Sequence, residues 1–353
     1  MRREKKVNVK ALVINTVLGF AVSVLVSMSA FGYILAESEV EEEYTWQDAY
    51  FGFVDEEIAS DAQPVFIHAL TSEEILSQPE TDQNAHIAKE INITAEDIEK
   101  LSDIDYLKKN FYIVDSRTDI VKNDIDAEKF INMDFSLAEN DGPKVLIFHT
   151  HSQEMFADSD ASNGMEEGIW GAGERLKEIL EEEYGIETIH DTGQYDVVNG
   201  KGKTTGAYER MEPAIRKIIA DNPTIEVVID MHRDGVAENV HLVTEQNGKK
   251  CAKIMFFNGL CRLKKGDSLE SISSLPNPYI NENLAFSFNM QLAANKMYPD
   301  FTRRVYLNAY RYSLHMMPKS LLVEVGAQTN TKEEVFNSME ILAEILVQVL
   351  EGE

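Results

Sequence analysis

Three apolar runs along the chain end in, or enclose, polar groups that a buried strand does not carry without cause. VLIF (145–148) leads straight into His149, Thr150 and His151, with Glu154 three residues further on. VVIDMHRD (227–234) sets His232 beside Asp230, Arg233 and Asp234. LLVEVG (321–326) holds Glu324 inside an otherwise apolar run, where an unpaired carboxylate would be costly. Between these runs the period changes to helical. In GERLKEILEEEYG (173–185), Leu176, Ile179 and Leu180 share a face and Gly185 is the stop. Further helices are predicted over 207–223, 284–299 and 332–350, the last starting from Thr331. FYIVD (111–115) and IETIHD (186–191) read as strands. Asn247-Gly248 marks the turn of a β-hairpin in HLVTEQNGKKCAKIMFF (241–257). Thr94, with Asp97 three residues on, starts a helix over AEDIEKL (95–101). Strands spaced by helices of this length predict an α/β fold: a mostly parallel twisted sheet covered by helices, with the hairpin added.

The N-terminus follows a different pattern. Arg2, Arg3, Lys5, Lys6 and Lys10 precede an uncharged stretch, 11–36, and an acidic cluster follows at 37–43. About 20 apolar residues suffice to cross a membrane as a helix, so a transmembrane anchor is expected. The basic flank should stay in the cytoplasm, sending the remainder outside. A cleaved signal peptide is the competing reading, but its apolar core would be long and Ile34 fits the cleavage rule poorly. The expected organisation is a basic stub and anchor (1–36), an acidic tether and helical region (37–110), and a catalytic domain (111–353).

Charge narrows the partners. Acidic residues number 61 against 33 basic, a formal charge of −28. That balance argues against nucleic acid, which needs surplus lysine and arginine to neutralise phosphates. Cys251 and Cys261 lack metal-knuckle spacing and read as small buried residues, with a disulfide open outside the cell.

The polar groups at the strand ends suit metal-assisted hydrolysis. A catalytic zinc takes three protein ligands and leaves a fourth position for water, whose pKa it lowers. His151 and His232 come from two strand ends, Glu174 from the first turn of the following helix, and Glu324 from a third strand. Gly171 and Gly173 would let the backbone approach the site closely. There is no HExxH motif. Glu154 could orient a histidine, touch substrate or face water. Arg233 could pair with Asp230 or Asp234, or bind a peptide carboxylate. His190 is expected in a hydrogen-bonded structural pair.

FYIVDSRT, VLIFHTHSQEMF, the GERL helix with IHDT and YD, VVIDMHRDG, the hairpin with AKIMFF, and LLVEVGAQTNTKEE occur in one order over residues 111–350. In this the chain resembles the stage II sporulation protein P (SpoIIP) family, related to zinc-dependent N-acetylmuramoyl-L-alanine amidases. The resemblance implies an amidase-like fold and a Zn2+ cofactor held by His151, Glu174 and His232. Glu324 would be the catalytic residue and His149 a structural or outer partner; Glu154, Asp230 and Arg233 are read from their positions as possible outer partners or substrate contacts. The resemblance also implies a peptidoglycan substrate, amidase and D,D-endopeptidase activity, and work in engulfment during sporulation beside SpoIID and SpoIIM at the cell membrane. Thr150 and Ser152 depart from the glycine-flanked histidine of the amidases. Two other functions stay open: a zinc-dependent peptidase acting on stem peptides, and a non-catalytic wall-binding scaffold.

Overall fold

A computed structural model describes residues 93–351. The expected membrane span and the tether up to residue 92 lie outside the described residues. Among those described, no helix is long and apolar enough to cross a membrane.

In chain order the main elements are helices α1 (Ala95–Leu101) and α2 (Ile104–Asn110), strand β1 (Tyr112–Val114), and helix α3 (Ala127–Ile131). Next come β2 (Val145–Phe148), α4 (Ile169–Glu182), β3 (Thr188–His190), α5 (Ala207–Asp221) and β4 (Val227–Asp234). The chain closes with β5 (Ile254–Gly259), α6 (Ile280–Met297), β6 (Val305–Asn308), β7 (Ser320–Ala327) and α7 (Lys332–Glu351). Local chemistry sets several ends. Thr94 and Asp97 cap α1 reciprocally, and Thr331 with Glu334 does the same for α7. Gly185 takes φ +67° after α4 and reverses the chain. Asn247 and Gly248 both adopt positive φ in the turn between Val243–Gln246 and Lys249–Ala252, as a two-residue hairpin requires.

Seven strands form one sheet in the order β1-β6-β5-β7-β4-β2-β3. Every pairing is parallel except that of β5 with β7. The expected mostly parallel sheet is therefore present, with one internal reversal. AKIMFF is not simply the return arm of the hairpin: its Ile254–Gly259 stretch is a central strand, buried throughout. β6 and a second hairpin, Arg262–Ser271, were not foreseen from the pattern.

Alternation along the strands divides the sheet into two faces. Val145 and Ile147 of β2, Val227, Ile229 and Met231 of β4, and Leu321, Val323 and Val325 of β7 join the main core. That core also contains Leu176, Ile179 and Leu180 of α4, together with the apolar faces of α6 and α7. Leu101 and Leu107 of the two first helices belong to it as well. The intervening residues Asp230, His232, Asp234 and Glu324 therefore face the other side. The two cysteines are free and buried.

Candidate metal centre

Glu324 and His232 stand opposite each other in the β7–β4 register. The turn after β2 brings His151 to the same place, its ring centroid 5.1 Å from that of His232. Glu154, three residues on, completes a buried group of three donors whose ligand atoms lie within 4.8 Å of one another. Its Oε1 is 3.6 Å from His232 Nδ1 and 3.8 Å from His151 Nδ1. Donors about 2.0–2.2 Å from a tetrahedral zinc stand about 3.3–3.6 Å apart, so small adjustments would seat an ion.

Two of the three donors have a polar neighbour behind them. Asp230 Oδ1 lies 2.8 Å from His232 Nε2 on the far side of the ring, leaving Nδ1 toward Glu154. Asp230 itself accepts from Thr150 N and Thr150 Oγ1, at 2.9 and 2.8 Å. Glu154 Oε2 accepts from Arg233 N at 2.8 Å, which turns Oε1 toward the imidazoles. Ser152 Oγ and Gln153 N donate to Asp196, pinning the turn. Carboxylates placed behind ligating histidines are the usual outer support of a metal site. Tyr208, at the start of α5, lies edge-on to the His151 ring at 5.8 Å.

The electrostatics suit a cation. Burial works against ionisation of Glu154, but His232, His151 and Arg233 outweigh it and hold the carboxyl down to about 2. Burial, with His232 beside it, lowers His151 to about 4, leaving a neutral ring. Burial also opposes charge on His232, yet Asp230 and Glu154 raise it well above the ordinary value: a positive charge is wanted at this point. Glu324 behaves oppositely. Burial, with Asp234 adding to it, pushes its carboxyl up to about 8. Its Oε2 is buried with no hydrogen-bond partner among the described residues. An orphaned carboxyl oxygen beside an aimed Glu and two imidazoles fits a group that transfers a proton.

The Glu324 shift has a stability consequence. Its folded pKa of about 8 exceeds the ordinary 4.5, so the stabilisation is complete below the lower value and is lost as pH rises through the upper one. Chelator-treated Glu324→Gln should therefore match wild type near about pH 5 and exceed it near about pH 9 by on the order of 2–4 kcal/mol in urea unfolding. Parallel pH profiles for the two proteins would contradict this.

Other expected residues fall elsewhere. Glu174 is not among the three donors. α4 begins five residues before it, so it lies in the second turn rather than the first, on a helix packed against the core-facing side of the sheet. There it lies 2.7 Å from His190 Nδ1. The structural pair expected for His190 is thus with Glu174, while the adjacent Asp191 accepts from Tyr195 OH. His149 is fully buried on the same side, and burial, with His190 next to it, lowers it to about 3. Arg233 makes neither expected side-chain pair; it donates to the backbone oxygens of Met155 and Asp234. Asp234 pairs with the buried Arg303 instead. The two glycines do allow close approaches, but not to the centre: a Cβ on Gly171 would lie 2.1 Å from Glu166 O, and one on Gly173 2.7 Å from His149 Nε2 and His190 Nε2. Thr150 and Asp196 were missed as supports. Spacing alone marks neither, although Thr150 sits between the two histidines.

A family model for stage II sporulation protein P (SpoIIP) matches residues 51–347. Stage II sporulation protein P of Bacillus subtilis (strain 168) is 23% identical over 233 residues, 60% of this chain and 54% of that protein. The chain thus spans about half the length of the curated relative it matches. Among solved structures, an N-acetylmuramoyl-L-alanine amidase from Clostridium difficile 630 is 16% identical, covering 60% of this chain and 95% of that one, at a TM-score of 0.33. The CwlD amidase of Clostridioides difficile, solved in complex with the GerS lipoprotein, is 17% identical, with 59% and 95% covered, also at 0.33. The family match runs through every residue of the centre and over most of the sequence, and on that ground the chain belongs to the stage II sporulation protein P family.

Proposed function

We propose that this chain is a zinc-dependent peptidoglycan hydrolase that cleaves the amide between the muramic acid lactyl group and L-alanine. One observation carries the reading: a buried His151–Glu154–His232 donor set on the same sheet face as Glu324, a carboxyl disposed to keep its proton. Family membership and the amidase relationship implied by the sequence motifs support the choice of substrate. Two imidazoles and one carboxylate are a donor set that zinc favours. Zinc held there would supply a Lewis acid for the scissile carbonyl and for water.

The chain's own residues supply the rest. Glu324, whose ionised form a dication at the centre would favour, would take a proton from the attacking water and return it to the departing L-alanine nitrogen as the C–N bond breaks. One water is consumed, and a lactyl carboxylate and a free amine are formed. Asp230 and the Arg233 amide hold His232 and Glu154 in place throughout. Glu154 replaces Glu174 in the ligand set proposed here, since it shares a face with both histidines. The basic N-terminus and the uncharged 11–36 stretch support attachment to the membrane with the centre outside the cell. Action in engulfment beside SpoIID and SpoIIM belongs to the same proposal.

Incubating the purified full chain with peptidoglycan and one equivalent of zinc tests the reaction. Release of stem peptides with a free N-terminal alanine is expected. New D-alanine termini with the lactyl amides intact would replace the amidase by an endopeptidase or carboxypeptidase. No cleavage, with the wall retained in pull-down, would favour a binding scaffold.

A further inference from the structure

On the core-facing side of the sheet, three short polar contacts run in line. Glu174 Oε2 meets His190 Nδ1 at 2.7 Å, His190 Nε2 meets His149 Nε2 at 2.9 Å, and His149 Nδ1 meets Met231 O at 2.8 Å. The proposed reaction uses none of them. A carbonyl can only accept, so the His149 Nδ1–H must donate to Met231. Its Nε2 is then the acceptor, and His190 Nε2–H the donor. From His190 inward the direction is fixed, ending at a backbone oxygen of β4, whereas the outer contact of His190 Nδ1 with Glu174 needs one further proton, because a neutral His190 spends its only N–H on His149.

The inner end falls at an informative place. Met231 precedes His232, and His149 lies two residues before His151. The contact between them stitches the two histidine-bearing segments together, beside the second stitch made by Thr150 and Asp230. α4 seals the junction from behind: the missing side chain of Gly173 leaves room for the two imidazoles to touch. Burying two imidazoles costs solvation that an apolar pair of similar volume would not. What a hydrogen-bonded series offers in exchange is direction and distance.

We propose that His190 and Glu174 are positioning residues that hold His149 against the Met231 carbonyl and thereby set the spacing of His151 and His232 for the metal. The inference rests on the metal centre proposed above, and its test separates the two. Zinc affinity of the full chain is measured by competition with a chromophoric chelator, and geometry by the visible spectrum of the Co2+ form. His190→Phe fills the volume without the donor, whereas His190→Gln keeps an N–H at the Nε2 position. His190→Phe should weaken zinc binding about tenfold or more and alter the cobalt spectrum, with His190→Gln restoring affinity to within about threefold. Equal affinity and an unchanged spectrum for His190→Phe, or no rescue by His190→Gln, overturns the proposal.

Should His190→Phe fail to fold, Glu174→Ala serves, because its side chain is half exposed. Its affinity should fall about three- to tenfold, and an unchanged value overturns the proposal equally. A wild-type chain that takes up no metal overturns the centre itself, a result distinct from variants that bind as wild type does.

Discussion

Glu324→Gln should reduce peptidoglycan cleavage by about 10²- to 10⁴-fold, the usual contribution of a positioned acid–base group, while zinc stays bound at one equivalent. Glutamine keeps the shape and hydrogen-bonding of a protonated carboxyl but cannot accept a proton and pass it on. Burial already favours the uncharged form at this position, so the substitution removes the chemistry with little disturbance to the packing. Zinc should stay because Glu324 is not one of the three grouped donors. Cleavage rates and bound metal, measured on one preparation, give the answer. If the variant lost its metal along with its activity, Glu324 would be a ligand and the proton would have to travel elsewhere.

Glu154→Ala is expected to lose more zinc affinity than the roughly 10–100-fold typical of removing an outer partner, whereas Glu174→Ala should still bind one equivalent. The reason is placement. Glu154 Oε1 sits between two Nδ1 atoms, and its other oxygen is held by the Arg233 amide. Glu174 approaches the opposite face and is engaged by His190. Removing Glu154 also leaves two buried imidazoles without the charge that compensates a dication. Metal content after dialysis would decide it, and the reverse order of the two variants would return the ligand role to the helix.

The contrast between these carboxylates explains what could be read from the residues alone. The three polar-tipped apolar runs became β2, β4 and β7, because their chemistry lies within each run. Alternation along 227–234 is likewise written locally, so Asp230, His232 and Asp234 could be assigned one face. Which face α4 covers is a tertiary fact, and it decides that Glu174 meets His190 rather than the centre. Glu154 carried a local signal, three residues beyond His151, but a loop carboxylate with that spacing has several uses until its partners are known. β6 escaped notice because VYLN is only four residues long and gains its place by pairing with β1 and β5. The reversal between β5 and β7 was hidden for a similar reason: a buried apolar run has the same composition in either direction.

The division of labour along β4 carries a consequence for errors in folding and in evolution. Val227, Ile229 and Met231 there fill the oily interior, whereas Asp230, His232 and Asp234 face the other side, so sliding the strand by one residue exchanges both sets together. A slipped molecule would bury an aspartate and an imidazole where Ile229 and Met231 belong, and would offer methyl groups where the donors now stand. Single-residue insertions or deletions within this strand should therefore be recovered from selection only as unfolded or absent protein. An inert yet well-folded product is not within their reach.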